Sequence, residues 1–237
     1  VNDPLYESTR LHPQFASRRG TIQERDNVFQ PTLIVEPKSE KEIQDIVRFA
    51  SKCDYKISVR SGGHSYSGFS SCNGLLNGKC IQIDMKHFDH INYNKDIDQD
   101  GNEMIKSIIV GSGVKLVDLY TSNQLNNIAV LGGICGSVGV GGHYQSSSQG
   151  VWARSLGLGM DYIIAIKIIT ATGDILTITA NGDQDERELF WAILGGSPGS
   201  WGVIIEYEFK PIKNSDYPYS SFYSFTHSLQ NKCLVHF

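Results

Sequence analysis

Two side chains with nucleophilic chemistry sit inside two runs of small residues. His64 stands in Val59-Arg60-Ser61-Gly62-Gly63-His64-Ser65-Tyr66-Ser67-Gly68, and Cys135 in Gly132-Gly133-Ile134-Cys135-Gly136-Ser137-Val138-Gly139-Val140-Gly141-Gly142-His143. Glycine-rich loops let the backbone approach a ligand and turn successive N–H groups toward phosphate oxygens. A neutral imidazole can attack an electrophilic carbon through a ring nitrogen. A cysteine attacks as its thiolate, a form that nearby backbone N–H groups favour, and the run from Gly136 to Gly142 can supply them. The two loops together predict a phosphate-bearing cofactor that is gripped twice and bonded twice.

Other chemistries fit less well. Gly139-x-Gly141 and Gly111-x-Gly113 both lack the third glycine of a dinucleotide fingerprint. His87 and His90 have no second close pair of ligands that would complete a zinc site, and they read as part of a solvated loop. The run Gly196-Ser197-Pro198-Gly199 is not read as the nucleophile elbow of a hydrolase.

The two loops resemble those of flavoproteins built on the vanillyl-alcohol-oxidase-type (PCMH-type) FAD-binding domain. Within that family they are most similar to the berberine-bridge-enzyme-like oxidases, which include carbohydrate oxidases. The similar region runs from about Gln30 to about Lys213. The resemblance implies an α+β fold of two α/β subdomains holding FAD, with His64 bonded to the flavin 8α carbon and Cys135 to C6. It implies cofactor contacts at Arg60, Ser61, Gly62, Gly63, Ser65, Gly68, Val138, Gly139, Gly141, Gly142, His143, Ser146, Gly150, Asp161 and Val203. The loop backbone is a better pyrophosphate ligand than the Arg60 side chain. Val138, three residues after Cys135, stands where the family gates oxygen, and a small valine there resembles the oxidases. The implied partners are a small-molecule substrate, O2, and a C-terminal half or partner chain that would carry the general base. No base is assigned within this chain.

The sequence departs from the family at two places. Ser146-Ser147-Ser148 replaces three glycines, and Pro198 interrupts a glycine run and removes a donor N–H. A degenerate flavin-binding module is therefore the alternative to an active oxidase.

The elements that must position these loops are legible in the pattern. Residues 1–30 read as polar and irregular, and 32–35 as a short buried strand. Ser39 with Glu42 predicts a capping box, opening a helix with Ile43, Ile46, Val47 and Ala50 on one face. A strand over 56–60 feeds the His64 loop, which makes an α/β unit. Strands are predicted over 81–85 and 105–110, with a polar hairpin or insertion over 92–102. A helix over 115–125 follows. A hairpin of 162–170 with 175–179, a helix over 186–194 and a strand over 202–209 complete the pattern. The chain divides into an N-terminal segment (1–30), an FAD-binding domain (31–213) and the start of a substrate domain (214–237). In the last of these, 219–226 reads as an aromatic-rich strand.

Composition narrows the class further. The 237 residues carry a net charge of −4 with 19% charged residues, so there is no polybasic surface for nucleic acid. No apolar run reaches the roughly 18–20 residues that span a bilayer. Cys72 and Cys80 flank a turn-rich loop that a disulfide could close; two ordinary thiols are the competing reading. A disulfide would place the protein in a secreted or otherwise oxidising compartment, although no Asn-x-Ser/Thr sequon supports secretion.

Overall fold

The computed structural model describes residues 4–11, 31–72, 79–196 and 198–219. Its first layer is a three-stranded parallel sheet of β1 (Leu33–Val35), β2 (Lys56–Arg60) and β3 (Cys80–Asp84), in the order β1-β3-β2. Helix α2 (Glu40–Lys52) joins β1 to β2 and buries Ile43, Val47 and Ala50. Its start differs in detail from the expected capping box. Ser39 Oγ accepts from Glu42 N, but the Glu42 carboxylate accepts from Lys38 N at 2.7 Å, so the reciprocal bond falls one residue early. β1 is an edge strand and Leu33 is 40% exposed, which corrects the expectation of a buried strand. Burial falls instead on the central strand β3, which is covered along its whole length.

β3 carries two polar residues, Gln82 and Asp84, into that buried position. Parallel register sets Arg60 opposite Asp84. The Arg60 guanidinium donates to Asp84 Oδ2 from Nε at 3.0 Å and from Nη2 at 2.5 Å. The Gln82 amide oxygen, turned toward the guanidinium, lies 3.2 Å from Nε and Nη1. Nη1 also donates to the Thr9 carbonyl in α1 (Pro4–Leu11) at 2.9 Å. The expectation of an irregular segment over residues 1–30 is thus corrected over Pro4–Leu11. Proline at a first helical position costs no hydrogen bond, and the helix is docked through Thr9 and through Tyr6, whose hydroxyl donates to Pro31 O. Residues 12–30 lie outside the described set.

The second layer is a five-stranded antiparallel sheet, ordered β4-β5-β9-β7-β8. Its strands are β4 (Ile91–Ile97), β5 (Glu103–Gly111), β7 (Ile163–Ile169), β8 (Ile175–Thr179) and β9 (Val203–Phe209). The polar stretch expected over 92–102 is a true hairpin. Asp98 Oδ1 accepts from Asp100 N and Asn102 N and closes its turn. Helices α3 (Leu116–Leu125) and α5 (Gln184–Ile193) pack on this sheet through Leu116, Leu119, Phe190 and Ile193. A smaller antiparallel pair joins β6 (Ile128–Ala129) to β10 (Ile212–Lys213). Ile169, Val203 and Ile205 of the large sheet share a core with α2 and β3, so the two layers are packed against each other. Past β10, residues Asn214–Asp216 form a 3-10 turn. Of the strand expected over 219–226, only Tyr219 is described, and it lies in a turn.

Two residues of the serine triplet take a backbone shape that favours glycine. Ser147 and Ser148 have φ of 69° and 55°, both in the left-handed region. Ser148 is buried and donates to Leu131 O at 3.3 Å. Room for its side chain comes from Gly159, where an added Cβ would lie 2.4 Å from Ser148 Oγ. Among the described residues Ser147 has no such long-range compensation, its hydroxyl reaching Ser146 O alone. Ser147→Gly is therefore expected to stabilise the protein by about 1 kcal/mol, by removing the left-handed penalty. A urea melt checks this, and a lower midpoint in the glycine variant would contradict it.

Candidate functional site

The His64 loop leaves the carboxyl end of β2, where ligands of parallel sheets gather. The Cys135 loop runs between β6 and the short helix α4 (Val140–His143). It is built against the start of α3. The first N–H groups of that helix lack a side-chain cap; Leu116 N donates instead to Val138 O at 2.9 Å, and Val117 N to Gly136 O at 3.0 Å. Orphan donors of a helix start thus fix the path of the loop.

The loops meet backbone to backbone. A Cβ added at Gly62 would lie 2.2 Å from Gly139 N, so only glycine permits this approach. Polar ties bind the joint. Ser61 Oγ donates to Ser112 O, which also accepts from Gly141 N at 3.0 Å. Lys115 Nζ donates to Ser61 O at 2.9 Å. Burial holds the Lys115 ammonium below the usual lysine range.

Beneath the second loop lies an aromatic core. Tyr144, Tyr207 and Phe209 pack with ring centroids 4.6 to 5.9 Å apart, and the polar tips of the tyrosines reach upward. Tyr207 OH donates to Gly141 O and Tyr144 OH to Leu131 O. Tyr120, its hydroxyl pushed up to about 12 by burial, donates to Gly133 O at 2.8 Å. Gly133 N donates to His143 Nε2 at 2.9 Å. An acceptor role for Nε2 requires the neutral ring with its proton on Nδ1, and burial favours that neutral form by lowering the His143 pKa.

These contacts shape a cleft of about 550 Å³ between the two loops. Both sequence nucleophiles line it. His64 Nε2 is 2.9 Å from Ser137 Oγ, and Cys135 Sγ is 3.5 Å from the same oxygen. Ser61, Gly62, Gly63, Ser65, Val138, Gly139, Gly141, Gly142, His143 and Ser146 also line the cleft. Five other expected contacts fall elsewhere. Arg60 does not line the cleft, and its guanidinium is paired with Asp84 and Thr9. Gly68 is a left-handed turn before the 3-10 helix Phe69–Ser71. Gly150 allows backbone contact, since a Cβ there would lie 1.9 Å from Gly132 O. Asp161 caps a 3-10 turn by accepting from Leu158 N, and Val203 is core. For all four, packing or local hydrogen bonding accounts for the residue.

Sequence reasoning missed Ser137, Ser112, Lys115 and Gln145. Gln145 is buried, donates to Gly141 O at 2.8 Å and accepts from Gly199 N at 3.1 Å. It thereby ties the Pro198-Gly199 turn to the cleft wall. Only its place beside the glycine run hinted at this. The stretch Gly195-Gly196-Ser197-Pro198-Gly199 does have G-x-S-x-G spacing, which corrects the sequence reading. It joins a helix to a strand, however, the reverse of the strand-to-helix turn that exposes a hydrolase nucleophile. Ser197 itself lies outside the described residues.

Two observations bear on whether the cleft suits FAD. A Cβ added at Gly142 would meet nothing within 4 Å, so that wall is open to a ligand. Ser112 Oγ, which belongs to a residue lining the cleft, is buried with no hydrogen-bond partner among the described residues. A buried hydroxyl without a partner is costly unless something supplies one. Space and polar demand both fit the cofactor. Near the cleft, Cys72 and Cys80 are joined in a disulfide that ties the end of the Phe69–Ser71 turn to the start of β3.

Comparison with known proteins agrees with this geometry. Residues 31–179 match a family described as FAD binding domain. FAD-linked oxidoreductase pynB of Aspergillus niger is 32% identical over 178 residues, covering 75% of this chain and 30% of that protein. Berberine bridge enzyme-like 19 of Arabidopsis thaliana is 30% identical over 219 residues, covering 89% and 35%. Among solved structures, a Phl p 4 variant described as a glucose dehydrogenase superposes with a TM-score of 0.72 at 26% identity, covering 90% of this chain and 40% of that one. The chain thus spans about a third of the length of the curated relatives named here. With its two glycine loops joined over one cleft and its fold shared with these flavoproteins, the chain belongs to the FAD-binding-domain family, alongside the berberine-bridge-enzyme-like oxidoreductases.

Proposed function

We propose that this chain is the flavin-bearing part of an FAD-dependent oxidase whose cofactor is bonded to both His64 and Cys135. The observation that carries the reading is the convergence of those two side chains, from separate loops, on one hydroxyl in one cleft. The bound flavin would accept hydride from an alcohol or hemiacetal carbon and pass the electrons to O2, giving hydrogen peroxide. The protein supplies orientation. The N–H groups around Gly62 and Gly63 are the proposed pyrophosphate ligands, and Ser112 Oγ is a candidate further contact. Val138, at the cleft wall, is the proposed oxygen gate. His143 is held neutral and rigid against Gly133, where it can meet the flavin or the substrate.

A sugar or oligosaccharide is the favoured substrate. The resemblance of a glucose dehydrogenase variant to this fold supports that choice, as does a doubly tethered flavin, which is expected to be a strong oxidant. The Cys72–Cys80 disulfide supports a secreted or otherwise oxidising location. A C-terminal segment beyond this chain, or a partner chain, is the proposed source of the general base.

Acid precipitation tests the reading. Flavin absorbance is expected to stay with the washed pellet, to persist in Cys135→Ala through the His64 bond, and to disappear in the double variant. Release of all flavin from the unmodified protein would overturn covalent attachment. Peroxide production across a panel of sugars then tests the substrate class.

A further inference from the structure

Among the described residues, Ser137 contacts both proposed attachment residues. Its hydroxyl lies 2.9 Å from His64 Nε2 and 3.5 Å from Cys135 Sγ, both within hydrogen-bonding range. Its position is set by backbone. Residues Cys135 to Val138 form a turn closed by Val138 N donating to Cys135 O at 3.1 Å. The Ser137 carbonyl sits against Gly62, where an added Cβ would approach it to 2.9 Å. The hydroxyl is thus held at the seam between the two loops.

We propose that Ser137 relays the thiol proton of Cys135 to His64 and so makes Cys135 competent to bond the flavin. This rests on the bicovalent reading above. A thiol is a poor nucleophile until it ionises, and a neighbouring base is the usual means of ionising it. The serine hydroxyl both donates and accepts, so one proton can enter it as another leaves. The thiol proton moves to Ser137 Oγ while the Ser137 hydroxyl proton moves to His64 Nε2. Cys135 is left as thiolate, His64 as imidazolium and Ser137 unchanged. The thiolate then forms the Sγ–C6 bond, C6 loses its proton, and the two electrons left on the flavin pass to dioxygen. The relay needs Nε2 as its proton acceptor and so requires the His64–flavin bond to form at the other ring nitrogen.

Ser137 has a second structural role to be told apart from this one, since a hydroxyl at the seam could simply hold the two loops together. Protein from riboflavin-starved cells is given FAD in air, quenched over time and digested. Mass spectrometry then follows flavin on the His64 and Cys135 peptides separately. In Ser137→Ala the Cys135 bond is expected to form about a hundredfold more slowly, the size of effect typical of a positioned proton acceptor, with the His64 bond unaffected. Ser137→Thr, which keeps the hydroxyl, is expected to restore the Cys135 rate. An unchanged Cys135 rate in Ser137→Ala overturns the relay. Equal loss of both bonds also overturns it, and makes Ser137 a shape-holding residue. Absence of any Cys135–flavin peptide in the unmodified protein overturns the bicovalent reading itself, and the relay with it.

Discussion

Gly142→Phe is expected to give a folded but colourless protein. Gly142 lines the cleft, and a Cβ built there meets nothing within 4 Å. A side chain placed there starts into open space and occupies volume proposed for the flavin. Thermal stability should stay near that of the flavin-free protein, while bound flavin falls to background in the absorbance spectrum. Gly62→Ala gives the contrast. Its Cβ would lie 2.2 Å from Gly139 N, backbone against backbone, and neither side can rotate away. Forcing the loops apart is expected to cost about 3 kcal/mol, seen as a lower urea midpoint before any flavin is added. The two glycines thus separate ligand space from packing. A Gly142→Phe protein that still retains yellow flavin would place the cofactor elsewhere.

Arg60→Met is expected to destabilise the protein by about 3–5 kcal/mol, the usual cost of stranding one partner of a buried ion pair. Such a loss is a large share of a typical folding stability of about 5–15 kcal/mol. Arg60 is 5% exposed and Asp84 6%, and no solvent is at hand to take over the bare carboxylate. The Thr9 carbonyl loses its donor in the same variant, so α1 loses a hydrogen bond to the sheet region. Adding Asp84→Leu to Arg60→Met removes the stranded charge and should recover much of the loss, as apolar replacement of a buried pair often does. Denaturant midpoints of the two single variants and the double variant measure the coupling directly. Additive losses would mean that the two side chains are not energetically paired. Arg60 ends the strand that launches the His64 loop, so the single variant should also lose bound flavin.

The sequence by itself determined several of the elements and singled out two reactive residues. Helix α2 followed from Ile43, Val47 and Ala50 at helical spacing, because one buried face imposes that period. The β7–β8 hairpin followed from two β-branched runs around a turn at Gly173, which has φ of 81°. His64 and Cys135 stood out because each lies in a stretch of small residues that serves packing poorly and ligand approach well.

Tertiary structure alone decided how those residues are used. Arg60 and Asp84 are distant in sequence, and parallel strand register made them partners in a buried ion pair. Gly150 and Asp161 looked like cofactor contacts, but backbone packing and a turn cap account for them; such local bonds leave no periodic trace. The α1 helix was hidden in a polar segment because its anchors, Pro31 O and the Arg60 guanidinium, belong to other parts of the chain. Ser137 had no mark in the sequence beyond its neighbours. Its place between His64 and Cys135 exists only because Gly62 and Gly139 bring two remote loops into backbone contact. Period and composition record what one segment buries, whereas which groups meet across a cleft depends on contacts between segments that no local pattern encodes.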